Sequence, residues 1–91
     1  MGTLPIPASM FFEDFENEIL EYEVLNSNAV IGTYRGLPDN KQRLIRFLLS
    51  DNPQITIGYT VRTSDGLESF QITEISYERY KGRPEILNAH Y

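Results

Sequence analysis

Cysteine and tryptophan are absent from this 91-residue chain, and histidine occurs once. The lack of cysteine excludes a disulfide framework, a zinc ribbon and a cysteine nucleophile together. No apolar run approaches the roughly 20 residues that a helix needs to cross a bilayer. The opening "MGTLPIPAS" lacks the basic start and the long apolar stretch of a signal peptide. We therefore expect a cytoplasmic protein with no membrane partner.

Basic residues are also few. Eight lysines and arginines face thirteen acidic residues, which gives a formal net charge of −5. A negative surface repels phosphate, so we expect no specific binding of nucleic acid. The cluster formed by Lys41, Arg43 and Arg46 is interpreted as a solvated flank of a loop or strand.

Motifs that carry chemistry are missing as well. His90 has no serine or carboxylate at a spacing that suggests a triad, and a general base needs such a partner. The acidic residues between 13 and 18 have helical spacing and no glycine, unlike a calcium loop, so they indicate a solvated helix face. The glycines are scattered and form no phosphate-binding fingerprint. The sequence predicts a protein that is not an enzyme, with no catalytic residue, cofactor or metal.

Aromatic residues are plentiful, and some of them define a helix. Phe11, Phe15 and Ile19 recur every four residues, with acidic side chains on the opposite side. This pattern predicts an amphipathic helix over residues 10–21, with Ser9 as its N-cap. Residues 1–9 contain two prolines and no hydrophobic period, which predicts a flexible N-terminal arm.

The rest of the chain has the pattern of strands and turns. Strands are predicted near residues 22–25 and 29–34, followed by turn chemistry in "GLPDNK". The segment "RLIRFLLS", residues 43–50, fits a buried strand or a helix, and we favour the strand. It ends at "DNP", because the proline disfavours helix in the residue before it.

A hairpin is predicted in residues 55–75, "ITIGYTVRTSDGLESFQITEI". Ile55, Ile57, Tyr59 and Val61 alternate with polar residues, and "SDG" supplies a turn. The parity then changes, which indicates a β-bulge near Thr73 or Glu74. The segment "EILNAHY" forms a last strand. These elements predict one α+β, mainly β domain over residues 10–91: a small antiparallel SH3-like barrel of about five strands with an N-terminal amphipathic helix.

The remaining prediction is a surface that binds other proteins. The helix offers more aromatic surface than so small a core needs, and "SYERYKGRP" combines tyrosine with arginine, two common interface anchors. The candidate interface residues are Phe11, Phe12, Phe15, Tyr77, Arg79, Tyr80 and Arg83. A tyrosine platform for single-stranded nucleic acid is a weaker alternative, because no basic surround accompanies the tyrosines.

The order of elements in the C-terminal half resembles that of the small phage head–tail connector proteins, also called head-closure, head–tail adaptor or tail-attachment proteins. Members of this family show a glycine before a strand, a short turn, an aromatic–x–Ile strand and a returning strand. The N-terminal "FEDFENEI" followed by "AVIGTYRG" is similar to the helix-then-strand opening of a tail-attachment member. The matching parts of the C-terminal half are Gly58 with residues 59–61, Asp65 with Gly66, Phe70 to Ile72, and residues 85–91.

The resemblance implies a structural protein of phage or prophage virion assembly, joining head and tail through a ring of subunits. It implies self-association, portal or tail proteins as partners, and a location in the virion after assembly in the cytoplasm. The alternative is a bacterial SH3-like binding module that recognises a peptide or protein partner through a Tyr-lined surface.

Overall fold

The computed structural model describes residues 2–91 and is mainly β, with one short α-helix. The strands are β1 (Gly2–Thr3), β2 (Leu20–Asn26), β3 (Ala29–Asp39), β4 (Leu44–Leu48), β5 (Thr60–Thr63), β6 (Ser69–Gln71), β7 (Glu74–Tyr80) and β8 (Arg83–His90). The helices are α1 (Ala8–Asp14) and two short 3₁₀ segments, Glu16–Glu18 and Leu49–Asp51.

All strands belong to one open sheet in the order β1-β7-β8-β4-β3-β2-β5-β6. Neighbouring strands are antiparallel, except that the two-residue β1 runs parallel to β7. The predicted count of about five strands is therefore too low, because seven strands form the antiparallel part. The sheet also curls, since the ring of Phe70 in β6 lies 4.2 Å, centroid to centroid, from that of Tyr91 just after β8, although four strands separate β6 from β8 in the sheet order.

Hydrophobic alternation explains the strands that the sequence predicted. In β4, the side chains of Ile45 and Phe47 are fully buried on one face, which confirms the strand interpretation for Leu44–Leu48, while Leu49 and Ser50 begin a 3₁₀ segment. The turn expected from "GLPDNK" is displaced, however. Gly36 to Asp39 continue β3 and pair with β4, and the chain turns at residues 40–43. There the carboxylate of Asp39 accepts the backbone N–H of Gln42, which replaces a turn made by proline and glycine.

The helix differs from its predicted bounds of 10–21. It begins two residues earlier because Pro7 serves as its N-cap residue, so Ser9 lies inside the helix and caps nothing. It ends at Asp14, and one 3₁₀ turn follows. Leu20 and the residues after it belong to β2, because their pairing with β3 from Gly36 onward outweighs their local helical period.

The predicted N-terminal arm is docked on the sheet instead. Thr3 pairs with Arg79 in β7, and the side chain of Leu4 is buried at 6% exposure. The N–H of Ala8 donates a 2.9 Å hydrogen bond to Oε1 of Glu85. These contacts make residues 2–9 part of the folded domain.

Three irregularities shape the sheet: a register shift between β2 and β3, another between β7 and β8, and a break between β6 and β7. Between β2 and β3 the register shifts so that Val24 lies opposite Gly32 and Leu25 opposite Val30, which leaves Ile31 as the extra residue of a bulge. Where a bulge was expected, at Thr73 or Glu74, the structure has a break between β6, which ends at Gln71, and β7, which begins at Glu74. It has the predicted effect, since Ile75 returns to the core.

The predicted hairpin of residues 55–75 is shorter than expected. Its strands are β5 and β6, and the residues before Thr60 form a loop. Gly58, with a φ of +94°, turns the chain there, so Ile57 is 61% exposed and not inward-facing as the alternation suggested.

Side chains are buried on both faces of the sheet. The larger core lies on the concave side and a smaller one lies under α1. The larger core consists of Tyr22, Val24, Ile45, Phe47, Ile55, Val61, Ile72, Leu87 and Ala89. The smaller core consists of Leu4, Ala8, Phe12, Leu37 and Ile86. Strand β8 contributes to both, which explains why Ile86 to Ala89 are all buried.

Candidate functional site

The face of the sheet that carries α1 also carries a polar cluster. Strand alternation places Ile45 and Phe47 in the larger core, so Arg46 between them points to the opposite face. The register then aligns Arg46 of β4 with Asn88 of β8, and Asn88 with Ser76 of β7. Three polar side chains thus form one row across three strands, beside the helix.

Arg46 is the centre of this cluster. Its Nη1 donates to Oδ2 of Asp39 at 3.1 Å, and its Nε donates to Oε2 of Glu78 at 2.8 Å. The three side chains are only 13%, 23% and 15% exposed, so these ion pairs are poorly screened by water. The guanidinium also lies 5.9 Å from the ring centroid of Phe11, within cation–π range.

Asp39 responds to these neighbours. Burial would raise the pKa of its carboxyl group, but the hydrogen bonds from the Gln42 backbone and from Arg46 outweigh that cost. The pKa of Asp39 therefore lies below its ordinary value, and the carboxylate stays ionised beside the arginine.

Ser76, Asn88 and His90 form a second hydrogen-bonded group in the same cluster. Nδ2 of Asn88 donates to Oγ of Ser76 at 3.3 Å, and that Oγ lies 2.7 Å from Nε2 of His90. The serine hydroxyl can donate to Nε2 or accept from it, according to which ring nitrogen of His90 carries the proton. Oδ1 of Asn88 is buried and has no hydrogen-bond partner within residues 2–91.

The contact between Ser76 and His90 has the geometry of a nucleophile and its base. Their spacing does not predict this contact, because they lie fourteen positions apart on two strands. The turn at Lys81 and Gly82 pairs Tyr80 with Arg83, and a register shift between Glu78 and Arg79 then brings Ser76 opposite Asn88, so the turn alone does not predict the contact. No side chain among residues 2–91 hydrogen-bonds to Nδ1 of His90, so the third member of a triad is not found in this part of the chain.

Two grooves meet at Arg46. The first, the helix groove, has a volume of about 590 Å³, and its lining consists of Phe11, Phe15, Glu18, Leu37, Pro38, Asp39, Asn40, Lys41 and Arg46. The second, the sheet groove, has a volume of about 480 Å³, and its lining consists of Gln42, Leu44, Arg46, Ser76, Tyr77, Arg79, Asn88 and His90. No acidic side chain lines the sheet groove, although the protein as a whole is acidic.

Four of the seven predicted interface residues lie in these grooves. Phe11 and Phe15 line the helix groove, and Tyr77 and Arg79 line the sheet groove. Phe15 and Tyr77 are 40% and 45% exposed, as surface contacts require.

The other three lie elsewhere. Phe12 is only 4% exposed and packs in the smaller core, so it is not available at a surface, because the α1 stripe turns Phe12 and not Phe15 towards the sheet. Tyr80 packs against the same core, and exposed Arg83 lines neither groove. The interpretation of Arg46 as part of a solvated flank is wrong, because its side chain is 13% exposed and ion-paired, and a strand with apolar residues on both sides of it gives no indication of those pairs. Sequence reasoning missed Asn88.

Residues 2–91 contain neither a cluster of metal-binding side chains nor a helix that could span a membrane. No three side chains of His, Asp or Glu gather into a possible metal site among residues 2–91. No helix in that range has the length and apolar character needed to span a bilayer.

Comparison with known proteins finds no match: no family model, no curated protein and no solved structure matches the chain.

Proposed function

We propose that this chain is a non-enzymatic structural protein whose copies associate head to tail into a ring. The form of assembly is the one implied by its resemblance to phage head–tail connector proteins. The ring would join head and tail in a phage or prophage virion, with portal or tail proteins as further partners. The acidic balance is compatible with a conduit for DNA, since a wall of like charge does not hold the phosphate backbone.

The observation that carries this proposal is an unpaired strand edge. Strand β3 pairs with β2 from Ala29 to Gly36, but with β4 only from Gly36 to Asp39. Along residues 29–35, the backbone groups that face away from β2 therefore have no sheet partner within the described chain. Such an edge is a template for pairing with another polypeptide.

The side chains of this edge also favour association. Val30 and Ile31 are 49% and 43% exposed, because the bulge at Ile31 interrupts the alternation and turns both outwards. Residues 29–35 contain no lysine or proline, the residues that commonly protect an exposed edge.

A closed ring of this kind needs two different contact surfaces on each subunit. A second exposed apolar position lies at the other end of β2. Leu67 is 83% exposed in the turn after β5, and the N–H of Ser64 in that turn bonds to the carbonyl of Glu21 at the start of β2. Val30, in contrast, lies opposite Leu25 near the end of β2.

Sedimentation velocity of an edge variant tests the proposal. Ile31→Lys places a charge on the exposed edge, and association should weaken by at least about tenfold. Met10→Lys makes the same change at a 50% exposed position on α1 and should leave this edge intact. A wild-type chain that associates equally well with and without Ile31→Lys would contradict the edge as the contact.

A binding module with an SH3-like barrel is the second candidate. The curl of the sheet favours it, because the Phe70 ring of β6 packs on that of Tyr91 after β8, as strands distant in the sheet order do in a barrel. Exposed Tyr77 in the sheet groove would then contact a peptide. Tyr77→Ala should abolish capture of that peptide with the fold retained, and unaltered capture by the variant would contradict this second function.

A further inference from the structure

The sheet groove carries a positive charge that nothing in the described chain neutralises. Of its two arginines, Arg46 is held by Asp39 and Glu78. Arg79 is exposed, and its Nη1 donates only to the carbonyl of Gly82, at 3.2 Å. Arg79 forms no ion pair within residues 2–91, so its guanidinium can donate hydrogen bonds to the carboxylate of another molecule.

The same groove contains an unused hydrogen-bond acceptor. Asn88 is 6% exposed and its Nδ2 is occupied by Ser76, but its Oδ1 has no donor. A buried polar atom without a partner costs about 1–3 kcal/mol, so most such atoms have one. A ligand that supplies an N–H would remove this cost, while its carboxylate could contact Arg79.

The exposed turn after α1 has both groups, and it carries two carboxylates where the exposed pair Asp51 and Asn52 carries one. Residues 16–18 form the 3₁₀ turn after α1, and their sequence is Glu-Asn-Glu. All three side chains are exposed, and none of them makes a hydrogen bond within the described chain. The two carboxylates are opposite in charge to Arg79. The side-chain amide of Asn17 can donate the hydrogen bond that Oδ1 of Asn88 does not receive.

We infer that the sheet groove of one copy binds the acidic turn, residues 16–18, of a second copy. In this contact a carboxylate of Glu16 or Glu18 pairs with Arg79, and the side-chain amide of Asn17 donates to Oδ1 of Asn88. This inference rests on the proposed self-association and names one of its contacts. Groove and turn are different surfaces, so the contact is head to tail and can propagate into a ring.

The turn cannot serve the groove of its own chain in the same way. Glu18 lines the helix groove, and none of residues 16–18 lines the sheet groove. The acidic turn therefore does not occupy the sheet groove of its own subunit and remains available to a neighbour.

A charge-reversal cycle measured by sedimentation velocity tests the contact. Arg79→Glu should weaken self-association by about tenfold, and the double variant Glu16→Lys with Glu18→Lys should do the same. When the two variants are mixed, the acidic groove of one faces the basic turn of the other, and association should return to near the wild-type level. Each position is exposed, so folding is not at risk.

Matched controls separate this contact from general electrostatics. Arg83→Glu and Glu13→Lys make the same charge changes at exposed positions outside the groove and the turn. They should change association by less than about twofold. Asn17→Ala should weaken association of the wild type and leave that of Asn88→Ala unaffected, because the two side chains act through one hydrogen bond.

The outcomes are distinct. If the wild type associates but Arg79→Glu behaves like Arg83→Glu, the groove contact is wrong and the proposed assembly function stands. If mixing the two reversed variants gives no recovery, the pairing of groove with turn is likewise wrong. If the wild type never associates, the assembly function fails and this contact fails with it.

Discussion

Arg46 and Glu78 form an ion pair that spans three strands. The Nε atom of Arg46 in β4 lies 2.8 Å from Oε2 of Glu78 in β7, and β8 runs between those two strands. Both side chains are largely withdrawn from water, at 13% and 15% exposure. The sheet groove begins beside this pair, so the pair fixes the wall of the site as well as the packing of the sheet.

Removal of Arg46 should therefore cost more stability than removal of an exposed arginine. Arg46→Ala leaves the carboxylates of Asp39 and Glu78 without compensation, and we expect a loss of about 2–4 kcal/mol in the free energy of unfolding. The control is Arg62→Ala, which breaks an ion pair with Glu23 whose side chains are 37% and 29% exposed. That loss should stay within about 1 kcal/mol. Urea denaturation compares the two, and equal losses would contradict the account.

Asp39 should make part of the stability dependent on pH. Its pKa is lower in the folded chain than in the unfolded one. The folded state thus binds fewer protons, and the contribution is present above the unfolded pKa of about 3.9 and lost as the pH falls through the folded pKa. At 23% side-chain exposure, its size should be within about 1 kcal/mol.

The substitution Asp39→Asn tests this sign. The variant should be less stable than the wild type near neutral pH, and the difference should shrink as the pH falls below about 4. Urea denaturation over a pH series measures it. A difference that stays constant or grows in acid would show that the carboxylate does not act through its lowered pKa.

Two phenylalanines of α1 should respond differently to truncation. Phe12 is 4% exposed and packs on Leu37 and Ile86 in the smaller core, so Phe12→Ala should destabilise the protein by about 3 kcal/mol. Phe15 is 40% exposed, and Phe15→Ala should cost less than about 1 kcal/mol. Thermal or urea unfolding measures both. If Phe15→Ala proved the more damaging, the helix would be docked by a different face.

Gly36 should be intolerant of a side chain because of close packing. A Cβ atom there would come within 2.9 Å of side-chain atoms of Ile45, Phe47 and Tyr22. We expect Gly36→Ala to cost about 2 kcal/mol or more, through displacement of the larger core. Gly66→Ala is the comparison: a Cβ there meets open space, and only its φ of +77° carries a cost of roughly 1 kcal/mol. The reverse order in urea denaturation would contradict the packing.

The sequence predicted elements best where local pattern and tertiary pairing agree. Residues 44–48 and 85–90 are strands as expected, because pairing with the neighbouring strands agrees there with the local pattern of apolar residues. The helix was predicted too long because its four-residue period extends to Ile19, beyond the point at which pairing with β3 takes over. Pro38 suggested a turn, but it lies inside β3, which continues to Asp39.

The candidate site could be predicted only in part. Exposed Phe15, Tyr77 and Arg79 followed from residue type. Arg46 and Asn88 did not, since their importance arises from a register that joins residues more than forty positions apart. The unpaired edge of β3 could not be predicted from the sequence either, because it depends on how many residues of β3 pair with β4.

Self-association of the wild-type chain is the most direct measurement of the central claim. Sedimentation velocity over a dilution series, alone and with a portal protein, reports whether copies bind one another. The account predicts a mass that rises with concentration towards a closed oligomer, and that falls in the Ile31→Lys variant. A single monomeric species at every concentration, with the portal protein present or absent, would contradict it.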